Sequence, residues 1–243
     1  MIPLKDDIPS RTFPVVTVLL IVLNVVVFLA DLSLGGQLSE AFALVPAAVT
    51  HAPTAIIPGT GIPVWASLFT MMFLHGGWLH VGGNMLYLWI FGNNTEDTLG
   101  HFRFLVFYFV CGLLAEALHI LIGWNSTAPT IGASGAIAGV LGAYLYLYPD
   151  ARITTVVFLF IFFTVVEIPA RVVLGFWFLL NLYNTLLSTA ATLHHSGHGS
   201  QVAFAAHVGG FAAGWVLIRL LVSRRSIRPR YEERPRYFDD HWR

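Results

Sequence analysis

Long apolar runs are the feature of this sequence that most restricts its fold. About 20 apolar residues are needed to cross a hydrocarbon layer of about 30 Å. Only 11% of the residues are charged, against about 25% in ordinary soluble domains. We therefore predict an all-α polytopic membrane protein with six spans. They are Pro14–Asp31, Trp78–Thr95, Phe102–Gly123, Ser134–Tyr148, Ala170–Leu187 and Val202–Val222.

The basic residues predict how the spans are oriented. All 13 Lys and Arg lie in the N-terminal tail, the second and fourth connections, or the region from Arg219 onward. Basic loops stay on the cytoplasmic side of a membrane. With six spans, both termini are therefore predicted to be cytoplasmic. The apolar segment Ile153–Val166 would break this pattern as a seventh span, so we predict a hairpin or interfacial segment on the cytoplasmic side.

These assignments divide the chain into three parts. Residues 1–13 form a cytoplasmic tail, residues 14–222 a six-helix membrane domain, and residues 223–243 a tail of mixed charge that we expect to be disordered. The first connection, Leu32–Gly77, is long and interrupted by prolines. Because bare backbone cannot face lipid, we expect this loop to contain short helices half-submerged in the outer leaflet.

A few polar residues lie at one depth of the predicted bundle. Ser134 begins the fourth span, and His207 lies about one turn into the sixth. His80 and Asn84 are one helical turn apart, on one face of the second span. All three spans enter the membrane from outside, which places the four side chains in its outer third. Polar groups inside a membrane are costly and are commonly functional.

Small residues predict that two of these spans pack closely. Glycine pairs at a spacing of four let helix backbones approach in lipid. A tight crossing would bring Ser134 within hydrogen-bonding reach of His207, whose imidazole could accept the hydroxyl proton during nucleophilic catalysis. The glycine pairs are Gly135 with Gly139 on the fourth span and Gly210 with Gly214 on the sixth.

Three motifs resemble those of the rhomboid intramembrane serine proteases, over about residues 14–222. In the family's order they are HGGWLHVGGN from His75 to Asn84 (HxxxxHxxxN), GASG from Gly132 to Gly135 (GxSG), and Ala206-His207 followed by Gly209, Gly210 and Gly214. The resemblance implies Ser134 as the nucleophile and His207 as the base, without a carboxylate. His80, Asn84 and the Ser134 amide would form the oxyanion hole, with His75 in a supporting role.

The resemblance also implies what the chain acts on. The family cleaves transmembrane segments of other membrane proteins near the outer face of the bilayer, and the fifth span and fifth loop would form the substrate gate and cap. We expect no nucleic acid, cofactor or metal. His194, His195 and His198 could bind a metal together with His207, but no carboxylate or cysteine joins them, so a polar loop is preferred. A prokaryotic inner membrane is the expected location.

One departure from the family pattern concerns the base. An aromatic residue often follows the nucleophile by four positions and packs on the histidine, whereas this chain has Ala138. Another group must therefore orient His207. Glu116 in the third span is a candidate, although we favour the interpretation that Glu116 forms an interhelical hydrogen bond. Asn181 in the fifth span is interpreted as a helix–helix contact.

Two other functions are compatible with a polytopic chain. A non-catalytic relative that binds and escorts membrane proteins would not need both Ser134 and His207, so the intact pair favours the protease. A polar-lined transporter is less favoured, because the two halves of the chain show no obvious internal repeat.

Overall fold

The computed structural model describes residues 1–159, 162–194 and 204–222, and helices dominate this part of the chain. The helices are α1 Val15–Ser33, α2 Gln37–Phe42, α3 Pro46–His51, α4 Ser67–Thr70, α5 Trp78–Tyr87, α6 Asn93–Leu99, α7 His101–Ile122, α8 Ser134–Leu147, α9 Ala170–His194 and α10 Phe204–Leu221. The strands are β1 Ile2–Lys5, β2 Arg152–Leu159 and β3 Phe162–Pro169. Two 3₁₀ turns, Val64–Ala66 and Met71–Phe73, flank α4.

Four helices in the described part are long and apolar enough to cross a membrane. They are α1, α7, the Ala170–Ala190 part of α9, and α10. The predicted second span corresponds to α5, a π-helical turn at Leu88–Gly92 and α6, which follow one another without a break. The predicted fourth span is α8, which has only 14 residues.

Helix α8 lies at the centre of the bundle, and α10 packs closely against it. Almost every residue of α8 is buried. A methyl group at Gly214 would overlap the carbonyl oxygen of Gly139, and one at Gly210 would overlap that of Gly135. Both glycine pairs therefore lie at this crossing, where only glycine permits the backbone separation. The predicted close approach of these two helices is confirmed.

A small sheet departs from the all-α prediction. Strands β2 and β3 form an antiparallel hairpin from Arg152↔Pro169 to Leu159↔Phe162, so the predicted hairpin is confirmed. The N-terminal segment adds β1, which pairs antiparallel with β2 at Ile2↔Val156. The sequence did not predict this strand because four residues carry too little periodicity. It supplies hydrogen-bond partners to an edge of β2 that would otherwise stay open.

The first connection is folded and supports the start of α8. As predicted, it contains short helices, α2 to α4. Leu44 exchanges two backbone hydrogen bonds with Thr130, at 3.0 and 2.7 Å. The Gly132 N–H donates to the Met71 carbonyl at 2.9 Å. These bonds hold the residues just before Ser134 in place.

At the opposite end of α8, three carboxylates attach the N-terminal segment to α6. We call Asp6, Glu96 and Asp97 the carboxylate cluster. Glu96 is fully buried, and its two oxygens accept the Val16 N–H at 2.9 Å and the Thr17 N–H at 2.7 Å. Because the first N–H groups of a helix have no partner within it, Glu96 caps α1 from another helix.

Asp97 and Asp6 attach the residues before α1. The Thr12 hydroxyl donates to Asp97 at 2.7 Å. Asp6 accepts the Asn94 amide at 2.6 Å and the Tyr144 hydroxyl. Burial, with the neighbouring charge of Asp7 as a smaller cause, raises the pKa of the Asp6 carboxyl from its ordinary value of 3.8 to about 7.

Candidate active site

Ser134 and His207 meet where α8 and α10 begin. Ser134 is the first residue of α8, and His207 lies in the first turn of α10. The Ser134 Oγ and His207 Nε2 atoms are 2.7 Å apart, which is hydrogen-bonding distance. The glycines at the α8–α10 crossing make this distance possible, because they let the two helix starts lie side by side. A hydroxyl in contact with an imidazole is the minimal arrangement for nucleophilic catalysis.

Helix α9 holds the other side of the His207 ring. The Asn181 Oδ1 atom lies 2.6 Å from His207 Nδ1. The Trp177 ring packs against the imidazole, with centroids 5.6 Å apart. Trp177 therefore supplies the aromatic contact that Ala138 does not.

Sequence reasoning missed these two partners of the base. Asn181 does form an interhelical hydrogen bond, as predicted from the sequence, but the sequence did not identify His207 as its partner. The available signal was the four-residue spacing of Trp177 and Asn181, which puts both on one face of α9. Glu116, the candidate from the sequence, lies beside Gly135 instead, 3.3 Å from the point where a Cβ on that glycine would be.

His80 faces the loop that precedes the nucleophile. The Gly76 N–H donates to His80 Nδ1 at 3.3 Å, which assigns the ring proton to Nε2. A Cβ on Gly132 would lie 2.8 Å from that Nε2, and Gly132 has a φ of +131°. Glycine is therefore required at position 132 for both its backbone conformation and its close approach to His80.

Asn84 presents a free donor near the same point. Its side chain is buried, and among the described residues its Nδ2 has no hydrogen-bond partner. Such orphaned donors are rare in folded proteins and call for an explanation. The backbone N–H of Ser134, at the start of a helix, also lacks an intrahelical acceptor. Three donors thus lie around Ser134: this amide, Asn84 and His80.

One cavity of about 430 Å³ joins these groups. Its polar side chains include those of the four predicted residues together with Thr130 and Tyr87, and the remaining wall is largely apolar, a composition typical of binding sites. The apolar part can accept an apolar segment, while the polar part lies beside the hydroxyl. The lining includes His80, Asn84, Ser134 and His207, together with Leu79, Tyr87, Ile137, Leu141 and Trp177.

The other histidines lie outside this group. His75 is buried and contacts the site through His80, its ring meeting the His80 ring edge-on at 5.0 Å. His119 hydrogen-bonds the Thr130 hydroxyl at 3.0 Å and so holds the loop before α8. The side chains of His194, His195 and His198 fall outside the described residues, so their lack of a metal stays a prediction.

Known proteins resemble this chain over the region that carries the site. The Rhomboid domain matches residues 62–224. Rhomboid protein 1 of Saccharomyces cerevisiae mitochondria is 35% identical over 96 residues, which are 38% of this chain and 28% of that protein. Rhomboid protease GluP of Bacillus subtilis is 40% identical over 83 residues, 34% of this chain and 16% of that protein.

A longer but weaker similarity joins the chain to RHOMBOID-like protein 5 of Arabidopsis thaliana. The two are 29% identical over 164 residues, which are 68% of this chain and 45% of that protein. The chain thus spans less than half the length of each of these three relatives. The Rhomboid domain, in contrast, covers 163 of its 243 residues. Because the match extends over most of the sequence and contains all the candidate site residues, the chain belongs to the rhomboid family.

Proposed function

We propose that this chain is an intramembrane serine endopeptidase that cleaves transmembrane segments of other membrane proteins. The observation that carries the proposal is the 2.7 Å contact between Ser134 Oγ and His207 Nε2, at the wall of a largely apolar cavity. Family membership supports it, since one relative is named as a rhomboid protease. A simple packing serine would need neither a basic partner nor an adjoining cavity.

The proposed reaction has two halves. Ser134 Oγ attacks the scissile carbonyl carbon, and its proton passes to His207 Nε2. The same imidazolium then gives that proton to the leaving amine as the peptide C–N bond breaks, which leaves an acyl ester on Ser134. A water molecule, deprotonated by His207, attacks the ester. The carboxylic acid product leaves, and the proton returns to the serine oxygen.

The negative oxygen that forms at each attack needs fixed donors. We assign this task to the backbone N–H of Ser134, the Asn84 side-chain amide and the Nε2–H of His80. Asn84 supports the assignment because its donor has no other partner among the described residues. His80 supports it because its Nδ1 is occupied by Gly76. His75 would hold the His80 ring in place through their edge-on contact.

The membrane arrangement is part of the proposal. We infer six spans, with α5–α6 and α8 completing the four membrane-length helices. Both termini would be cytoplasmic by the distribution of basic residues, and residues 32–77 would lie half-submerged in the outer leaflet. At about 1.5 Å per residue, α8 is about 21 Å long, so Ser134 would lie below the outer surface. We infer a prokaryotic inner membrane, with the cavity open toward the periplasm.

The test is a reconstituted cleavage assay with a single-span substrate. Ser134→Ala and His207→Ala should each lower the cleavage rate by about 1,000-fold or more, whereas Ser33→Ala, at the exposed end of α1, should match wild type. Labelling of Ser134 by a small fluorophosphonate gives a second readout that needs no protein substrate. Cleavage by Ser134→Ala at the wild-type rate would reject the mechanism. A wild-type protein that neither cleaves nor labels would favour the escort function.

A further inference from the structure

The orientation of the Asn181 amide is determined by its own helix. The Asn181 Nδ2 donates to the Trp177 carbonyl at 2.8 Å. A carbonyl oxygen can only accept, so this bond identifies which end of the amide is the nitrogen. The other end, Oδ1, therefore faces His207 Nδ1 at 2.6 Å.

This orientation determines where His207 carries its proton. Because Oδ1 can only accept, Nδ1 must be the protonated nitrogen of the neutral ring. The lone pair then resides on Nε2, which is the atom 2.7 Å from the Ser134 hydroxyl. The hydrogen-bond network thus assigns to His207 the tautomer that can accept a proton from the serine. The opposite tautomer would present an N–H to the nucleophile and could not act as a base.

The His207 ring has a second contact on the same helix. Trp177 packs on His207. The Trp177 ring also stacks on the Phe211 ring, and the centroids of these two rings are 6.1 Å apart. Trp177 and Asn181 together therefore limit rotation of the imidazole about χ1 and χ2. Both of these contacts come from α9, whereas the Ser134 hydroxyl on α8 bonds the other ring nitrogen, Nε2.

Helix α9 is otherwise loosely enclosed. Only 22% of its membrane-length window is buried, compared with 44% for α7. Asn181 and Thr185, by contrast, are 6% and 7% exposed. The polar face of α9 that contacts His207 is therefore among its best-packed parts, although most of the helix surface lies outside the bundle.

We propose that Asn181 is a positioning residue that holds His207 in its base-competent tautomer, acting from a helix that carries neither member of the pair. This inference rests on the proposed function. Among the described residues, the other titratable groups that act electrostatically on His207 are His80 on α5 and His119 on α7, and Glu116 lies beside Gly135. None of these groups forms the hydrogen bond to Nδ1 in the described structure.

The first test replaces the acceptor with an apolar side chain of similar size. Asn181→Leu leaves Nδ1 without a partner, so the wrong tautomer becomes accessible. We expect kcat and the fluorophosphonate labelling rate to fall by about 10- to 100-fold, with KM changed less than about twofold. The matched control is Asn24→Leu, since Asn24 is also buried and donates to a carbonyl of its own helix, Leu20, at 2.7 Å. It should label at the wild-type rate.

A second variant separates positioning from helix packing. Asn181→Asp keeps an acceptor for Nδ1, so activity at high pH should largely return. A carboxylate also favours the protonated imidazole, so the acid limb of the pH–kcat profile should move to higher pH by about one unit or more. A packing role predicts equal losses in both variants and an unchanged acid limb. An unchanged acid limb in Asn181→Asp would by itself overturn the inference, even if Asn181→Leu failed to fold.

The outcomes also separate this inference from the proposed function. A wild-type protein without Ser134-dependent labelling would contradict the protease itself. A wild-type protein that labels and cleaves, alongside an Asn181→Leu variant within about twofold of it, would contradict only the positioning role.

Discussion

The carboxylate cluster and the candidate active site are two polar regions of one apolar bundle. They differ in whether a buried polar group at their centre has a hydrogen-bond partner. In the cluster, the two oxygens of Glu96 accept backbone N–H groups of α1. In the site, the Asn84 Nδ2 is buried and has no partner among the described residues. Buried polar groups that stabilise a fold are normally satisfied. A donor left free suits an acceptor that exists only during the reaction.

This contrast gives opposite expectations for substitutions in the two regions. Changes in the carboxylate cluster should lower the free energy of unfolding and leave kcat of the folded protein intact. Changes at the free donors of the site should lower kcat and leave the free energy of unfolding nearly unchanged. Substitutions at Glu96, Asn84 and Asp6 separate the two halves of that expectation, in decreasing order of effect.

Glu96→Ala should produce the largest loss of stability. It leaves the first N–H groups of α1 without acceptors, and α1 has no local side-chain cap. Because Glu96 is fully buried, we expect the free energy of unfolding to fall by about 3–5 kcal/mol, measured by denaturation in micelles. Glu96→Gln keeps one acceptor and should lose less. If Glu96→Ala kept the wild-type free energy of unfolding but had a reduced kcat, the carboxylate cluster would serve catalysis and not stability.

Asn84→Leu should reduce activity without a comparable loss of stability. Removal of one oxyanion donor lowers kcat by about 100- to 1,000-fold in other hydrolases. The free energy of unfolding should change little, because a buried donor without a partner already destabilises the fold. Cleavage kinetics and thermal unfolding of the same sample provide the comparison. Asn84→Leu with normal kcat and a markedly lower melting temperature would show that Asn84 belongs with the structural polar groups.

Asp6→Asn should give the smallest effect, visible as a change in pH dependence. The folded protein holds a proton on Asp6 up to about pH 7, whereas an unfolded aspartate ionises near 3.8. The contribution of this proton to stability is therefore complete below about pH 4 and is lost as pH rises through about 7. Wild-type protein should melt lower at pH 8 than at pH 5, and Asp6→Asn should show a weaker decline. Identical slopes would mean that Asp6 is ionised when folded.

Local sequence patterns determined much of this fold and the core of its candidate site. The apolar runs predicted the helices α1, α7 and α10, and the aromatic and β-branched segment after α8 predicted the β2–β3 hairpin. The glycine pairs predicted the close crossing that brings Ser134 to His207. These predictions succeeded because each depends on spacing within one element, which the sequence displays directly.

Only the tertiary structure decided which distant groups became partners. Glu96 caps a helix whose capped N–H groups lie 80 and 79 residues away, and Asn181, not Glu116, bonds His207. The pairing of β1 with β2 was equally invisible in the sequence. A hydrogen bond between distant residues depends on helix positions to within a few tenths of an ångström. Packing of the whole bundle sets those positions, and no local pattern encodes them.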